Sequence, residues 1–327
     1  MNRRRALIAA LAFGAPLVSR AQLEKKPWRV GLFLSGSRAT GSENEVAFLA
    51  GMKSLGYEVG RNVLVETRYA EGNPTRWSAI ADELIALKPH VLVVSSSGNT
   101  IVMGRKTKTI PIVMGSVGDP VGDGIVESLA KPGGNVTGNS LQLVELGAKQ
   151  IELMAQALPH VRGAAALVDL SQPRSQTDRY RQIANQAAAA NGVALEVFGV
   201  NSSDEVRQVL KDPKTRQVGA ILFSAAPRFN VLRPEICRTA TSLRLPLIGF
   251  SAEWPRDGAL MSYSPSWSEA YRRAAYFVDR ILKGAKPADL PVEQPTKFDL
   301  VINRKAEKML GVTIPNSILV RADRVIE

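Results

Sequence analysis

Lys88–Thr100, KPHVLVVSSSGNT, is the stretch on which the fold turns. Its strand, His90 to Ser96, is apolar from Val91 to Val94 with no polar alternate, the pattern of a strand covered on both faces, and such strands belong to parallel sheets. The run then breaks into Ser95-Ser96-Ser97-Gly98-Asn99-Thr100, small and rich in hydroxyls. In open parallel sheets that edge, outside the carboxyl ends of the strands, is where ligands bind.

The same grammar extends in both directions. Upstream, Arg29 to Ser35 (RVGLFLS) reads as a buried strand, and a helix near Glu43 to Leu55 carries Val46, Leu49 and Met52 on one stripe. Asn62 to Tyr69 alternates as a strand, Trp77, Ile80, Leu84 and Leu87 fall at helical spacing, and Ile110 to Val117 is a further buried strand. Downstream, a second set has strands at Ala164–Leu170, Val193–Val200, Val218–Phe223 and Leu245–Phe250. Helices near Gly147–Leu158, Thr177–Asn191, Ser203–Leu210 and Leu232–Leu243 alternate with them. Roughly 300 residues beyond the N-terminal leader exceed one small core. The reading is therefore an α/β protein of two doubly wound, Rossmann-like lobes in series with a ligand cleft between them.

Between the two sets stands KPGGNVTG, Lys131 to Gly138. It is not a phosphate loop, because Pro132 removes a donor and Val136-Thr137 favours extended chain where a phosphate loop needs a helix start. A glycine-rich extended crossing between two αβ units suits a hinge, and the hinge is expected around Val136 to Ser140; an ordinary loop is the alternative.

The chain begins with Arg3, Arg4 and Arg5, an apolar run from Ala6 to Val18, and Ser19-Arg20-Ala21. That is a cleavable secretory signal over residues 1–21, with a mature start near Gln22 and a periplasmic destination. Its apolar core is shorter than the roughly 20 residues of a spanning helix, and no cysteine at the cleavage site offers a lipid anchor. General secretory and twin-arginine export both remain open. The formal charge of +12 becomes +8 when Arg3, Arg4, Arg5 and Arg20 leave. Because Lys and Arg are dispersed among acidic residues, the sequence argues against a nucleic-acid partner. The single cysteine, Cys237, excludes an internal disulfide.

The strand ends supply the candidate site. They are Ser35-Gly36-Ser37, Ser95 to Thr100, Gly118-Asp119-Pro120, Ser224-Ala225-Ala226 and Ser251-Ala252-Glu253. Short hydroxyl residues and free N–H groups at helix starts suit a small polar or anionic ligand, while each residue taken alone also suits a helix cap. No catalytic set, metal site or cofactor motif is present. His90 and His160 each follow a proline at the amino end of a strand, the wrong edge, and no Gly-x-Ser-x-Gly, His-x-x-x-His or Cys-x-x-Cys occurs. Asp119, Asp123 and Glu253 could form a carboxylate site, with capping the alternative for the first two. Phe250, Trp254, Tyr263 and Trp267 gather on the later loops, open to stacking on a planar ligand or to core packing, with packing favoured for Trp267.

IPIVMGSVGDPVGDGIVESLAKPGGNVTG, ending at Gly138, and the tail from Ile281 to Pro315 resemble the ABC transporter substrate-binding proteins related to tryptophan and tyrosine uptake. The resemblance implies a type I periplasmic binding-protein fold without enzymatic activity, expected as a monomer that delivers a small-molecule ligand to a membrane permease; a sensory ligand-binding protein of the same fold, or an exported enzyme acting through acidic cleft residues, is the alternative. The resemblance also implies discontinuous lobes, residues 28–138 plus about 264–290 and residues 139–263 plus about 291–327. Strand ends and later loops together give the expected ligand site as Ser35, Ser37, Ser96, Ser97, Asp119, Ala226, Arg228, Phe250, Glu253 and Tyr263; the resemblance matches Asp119 to the family's Asp-Pro-Val motif and implies that Ser96-Ser97 hold the ligand's carboxylate. Relatives that take aromatic amino acids often show Pro-Thr-Asp-Asn where this chain reads Ser224-Ala225-Ala226-Pro227. With that acid missing, an α-ammonium would lack a partner, and Arg228 could instead meet an anionic group or stand solvated on a loop.

Overall fold

The computed structural model describes residues 26–212 and 217–327, so the stretch expected to be a signal, residues 1–21, lies outside the described residues. The first half of the chain runs β1 (Trp28–Leu34), α1 (Arg38–Ser54), β2 (Val63–Tyr69), α2 (Trp77–Ala86), β3 (Val91–Ser95), α3 (Ser97–Lys106), β4 (Ile112–Val117) and β5 (Val136–Ser140). These strands form one sheet in the order β2-β1-β3-β4-β5, with every pair parallel. All five residues of β3 are buried, as a strand with helices on both faces requires.

The chain continues through α4 (Leu146–Ala157), β6 (Gly163–Asp169), α5 (Arg174–Ala190), β7 (Ala194–Val200), α6 (Ser203–Lys211), β8 (Ala220–Phe223), α7 (Pro227–Ser242) and β9 (Leu247–Gly249). Then come α8 (Glu253–Asp257), β10 (Met261–Pro265), α9 (Trp267–Leu282), β11 (Phe298–Asn303), α10 (Arg304–Leu310), α11 (Asn316–Leu319) and β12 (Arg324–Ile326). The second sheet has the order β12-β11-β10-β9-β8-β6-β7, parallel except where β10 meets β11. The fold is thus two α/β lobes, each a twisted sheet with an apolar core on either face.

Helix α9 belongs to the first lobe although it follows a strand of the second. Ser266 caps it through Glu269 N–H at 3.2 Å. Its buried Tyr271, Ala274, Ala275 and Val278 join Ala47, Phe48 and Met52 of α1 in the core of the first sheet. The chain therefore passes between lobes after β5, between β10 and α9, and again before β11. The last pass lies against the first, because Ser140 N–H donates to Glu293 O at 2.8 Å and Glu293 N–H donates to Gly138 O at 2.9 Å.

Val136–Ser140, expected as a hinge in extended chain, is the edge strand of the first sheet. Gly138 explains the glycine there. Its φ is +126°, and a Cβ at this position would sit 2.5 Å from both Met114 N and Met114 O. Backbone atoms cannot move aside as a flexible side chain can, so only glycine fits between β4 and β5. Helix α7 begins at Pro227 rather than near Leu232, because proline at the first helical position costs no hydrogen bond and fixes φ for the helix. Arg228 consequently lies inside a helix and not on a solvated loop.

Candidate functional site

The carboxyl ends of both sheets face one interlobe cleft with about 610 Å³ of empty volume, its open mouth included. The first lobe contributes the turns after β1, β3 and β4. Ser35 Oγ lies 2.6 Å from Ser95 Oγ, and Ser35 N–H donates to the same oxygen at 2.7 Å, so the two turns are tied together. Ser96 stands before α3 with φ +62° and ψ 153°, a region that side-chain-bearing residues rarely occupy. It is held by its Oγ at 2.9 Å from Asn99 Oδ1 and by Thr100 Oγ1, which donates to Ser96 O at 2.7 Å. Gly98 lets α3 start hard against Trp77, since a Cβ would come within 2.4 Å of that ring. Ser97 is 2% exposed, lines the cleft, and its Oγ has no hydrogen-bond partner.

The opposite wall comes from the second lobe. Gln172 and Gln176 line the cleft around the start of α5, and Ala225, Ala226, Pro227 and Asn230 do so around the start of α7. Gln176 Oε1 and Asn230 Oδ1 are buried without partners. Two aromatic side chains from the first turns of α9 also line the cleft: Tyr271 from the core of the first lobe, and Trp267, which packs against the second. Trp267 Nε1 is likewise unpartnered. Tyr271 OH lies 3.2 Å from Ser116 Oγ, and burial pushes its hydroxyl up to about 12, so the phenol stays neutral.

Two features give the cleft its electrostatic character. None of its lining side chains is charged. The helices α1, α3, α5 and α7 bring their N-terminal regions to it, and none carries an acidic residue in its first turn. No residue of those first turns offsets their partial positive ends, although Asp123 approaches Ser97 at the head of α3, and the ends favour an anion in the cleft.

Charged residues instead bridge the lobes around the mouth. Arg179 on α5 reaches Asp119 of the first lobe at 2.6 Å and Glu145 at 2.7 Å. Ser175 Oγ donates to Asp123 Oδ1 at 2.7 Å, and Arg256 pairs with Glu43 at 3.2 Å. Burial raises the Asp123 carboxyl above its ordinary 3.8, against lowering by nearby Ser97 and Ser175, while Asp119 adds to the rise. These contacts hold the lobes together, so the structure is a closed form.

The sequence-based candidates divide accordingly. Ser35, Ser96, Ser97 and Ala226 meet in the cleft. Ser37 caps α1, accepting from Thr40 N–H at 3.2 Å. Asp119 is a bridging residue of the rim. Arg228 is buried, paired with Asp169 at 3.2 Å and not among the residues lining the cleft. Phe250 lies behind the wall, its ring 5.1 Å from Trp254 and 6.4 Å from Trp267, where it supports Trp267 and does not face the cleft. Tyr263 stacks on Phe298 at 5.7 Å within the second lobe. Glu253 lines a side recess with Glu43, Arg233 and Trp267. Trp267, expected to pack, does pack against the second-lobe core and also lines the cleft. Gln172, Gln176, Asn230 and Tyr271 were not anticipated, although Gln172 follows the end of β6 as Ser96 follows the end of β3.

Among the described residues no helix is long and apolar enough to cross a membrane, and no group of three His, Cys, Asp or Glu side chains could hold a metal ion. Cys237 is buried, and burial, with Asp257 adding, pushes its thiol up to about 12. His90 accepts from Arg29 N–H at 3.0 Å, at the far edge of the first sheet from the cleft.

Comparison with known proteins places these features in a family. The model of the ABC transporter substrate binding proteins matches residues 40–326. A tyrosine-binding protein of Clostridioides difficile is 25% identical over 294 residues, covering 88% of this chain and 82% of that protein. A structure of an ABC domain in complex with L-Trp from Streptococcus pneumoniae superposes with a TM-score of 0.84 at 26% identity, covering 92% of this chain and 100% of the other. A conserved domain protein from Vibrio cholerae gives a TM-score of 0.84 at 27% identity over the same shares.

Proposed function

This chain belongs to the ABC transporter substrate-binding protein family, and from that premise we propose that it is the periplasmic solute-capturing component of an importer, which hands a small carboxylate-bearing ligand with a planar body to a membrane permease. The observation that carries the reading is the inward face of the cleft. Ser97 Oγ and Trp267 Nε1 stand there as donors and Gln176 Oε1 and Asn230 Oδ1 as acceptors, all buried without protein partners. Buried polar groups are ordinarily satisfied, so a set of four converging on one cleft is a complement to a ligand.

The carboxylate belongs at the start of α3, where Ser97 and the first-turn N–H groups form an anion cradle. The planar body belongs beside Trp267 and Tyr271, whose faces lie on the returning helix. That the family relatives include a tyrosine-binding protein and a tryptophan-bound structure supports an aromatic body. Closure follows because a ligand touching both lobes stabilises the form in which both are within reach. The family consists of binding proteins, and no chemistry beyond binding is needed to explain the cleft. In this reading the protein works as a periplasmic monomer after removal of residues 1–21, with no nucleic acid among its partners.

Mass spectrometry of small molecules released from the protein purified from its own host tests the proposal. The expected species is a low-mass organic acid with an aromatic or otherwise planar body, present near one equivalent. Recovery of a neutral sugar in its place would overturn the assignment.

A further inference from the structure

We infer that the cleft selects carboxylates that carry no α-ammonium group, such as aryl-alkanoic or aryl-hydroxy acids, over the corresponding amino acids. The inference rests on the carboxylate reading above and refines it. An α-ammonium desolvated between two lobes needs an anionic partner, because an unpaired buried charge is among the costliest groups a protein can enclose. The cleft offers none, since every lining side chain is neutral. At the head of α7, where an acidic side chain could project toward the ligand, stands Ala226, 3% exposed.

The field points the same way. Four helix N-termini without a first-turn acid attract a carboxylate and repel an ammonium placed beside it. Two orphaned side chains on the walls are themselves at least nine-tenths buried, Ser97 at 2% and Gln176 at 8% exposure. Gln176 Oε1 accepts a hydrogen bond, so a neutral hydroxyl on the ligand satisfies it without burying charge.

Of the carboxylates around the cleft three are paired with arginines, while Glu253 lines the side recess that shares Asn230 and Trp267 with the cleft. Asp119 is paired with Arg179, Asp169 with Arg228 and Glu43 with Arg256. Asp123 keeps one buried oxygen without a partner, and its other oxygen accepts from Ser175; burial raises its carboxyl, against lowering by Ser97 and Ser175.

The test is calorimetric titration of the full chain at neutral pH with two matched pairs, 3-phenylpropionate against phenylalanine and indole-3-propionate against tryptophan. The expected result is that the acid without the amino group binds at least about tenfold more tightly in each pair. Ala226→Asp should reverse that preference, and an unchanged preference in this variant would overturn the argument from the missing acid. Equal affinities within a pair, or tighter binding of the amino acid, would overturn the inference while leaving the carboxylate reading intact. If Asp123→Asn or Glu253→Gln then abolished amino-acid binding, the carboxylate removed would be the group that grips the ammonium. Failure of all four compounds to bind, with capture of a non-acidic ligand from the host, would instead sink the carboxylate reading and the inference with it.

Discussion

Ser97→Ala separates a ligand-binding hydroxyl from a helix cap. Ser97 is 2% exposed and its Oγ makes no hydrogen bond, while the start of α3 is held by Ser96 O, which accepts from Thr100 Oγ1 at 2.7 Å and from Thr100 N–H at 3.3 Å. Removing the Ser97 hydroxyl, which neighbours the acceptor Asp123 and lowers its carboxyl, therefore breaks no hydrogen bond of good geometry. It also removes a buried polar atom of the kind whose unsatisfied burial costs about 1–3 kcal/mol. The stability of the ligand-free variant is expected to be unchanged or higher by up to about 1 kcal/mol. Affinity for 3-phenylpropionate should fall by the worth of a charge-assisted hydrogen bond, about 1.5–3 kcal/mol, which is roughly 10- to 150-fold. Urea denaturation without ligand and calorimetric titration with it measure the two quantities on one preparation. A variant that unfolds more readily but binds 3-phenylpropionate as before would show that Ser97 serves the helix and not the ligand.

Three further outcomes follow from the packing around the cleft. Gly138→Ala should lose about 2–6 kcal/mol in urea denaturation, from a backbone at φ +126° and a Cβ 2.5 Å from Met114 backbone atoms; a loss under about 1 kcal/mol would show that β4 and β5 can separate at little cost. Asp123→Asn tests the raised carboxyl: a group whose folded pKa lies above 3.8 contributes its full stability below that pH and loses it as pH rises through the folded value, so the asparagine variant should be more stable than the parent at neutral pH. Melting temperatures between about pH 3 and 7 should converge at the acid end, and a variant less stable at pH 7 would contradict the sign. Arg179→Ala removes a half-exposed bridge to Asp119, so ligand affinity should weaken by no more than about fivefold at low salt, with the difference shrinking in 1 M salt as screening removes the pair's contribution in the parent. A larger loss that persists in high salt would mean that Arg179 positions α5 and does not simply hold the lobes together.

The parts of the fold legible from sequence are those where burial on both faces leaves an unmistakable apolar run. Val91–Val94 in β3 and Leu32–Leu34 in β1 are such runs, and their strands lie within a residue or two of the expected bounds. Strand β10, MSYSP, gave no such signal, because its small polar residues are buried beneath neighbouring elements without being apolar. Ser262 and Ser264 are the case in point, at 0% and 1% exposure. Helix α3 was hidden for a related reason: SGNTIVMGRK starts with four buried residues that are polar or glycine, so it has no apolar stripe at its head. In the site, strand-end serines were legible because topology alone puts them at one edge. Aromatic side chains were not, since Phe250 and Trp267 differ in role only through the second-lobe core that covers one and leaves the other at the cleft.

That asymmetry has a physical root. The cleft draws its polarity from backbone position more than from residue type, through helix starts, a strained Ser96 and a Gly98 that admits Trp77. Residue-type patterns find charged pairs and metal ligands well, and here the charged pairs lie on the rim, where Arg179, Asp119 and Glu145 meet across the boundary between lobes. A charge kept in the mouth would be screened by salt and would act on closure, whereas a charge kept on the wall would act on the ligand itself. The division assigns long-range attraction between lobes to exposed side chains and ligand choice to neutral, buried ones. It follows that single charge substitutions on the rim should alter how readily the lobes close with little change in which ligand is preferred. The choice of ligand should instead respond to Ser97, Gln176, Ala226 and Trp267, the neutral residues that face it.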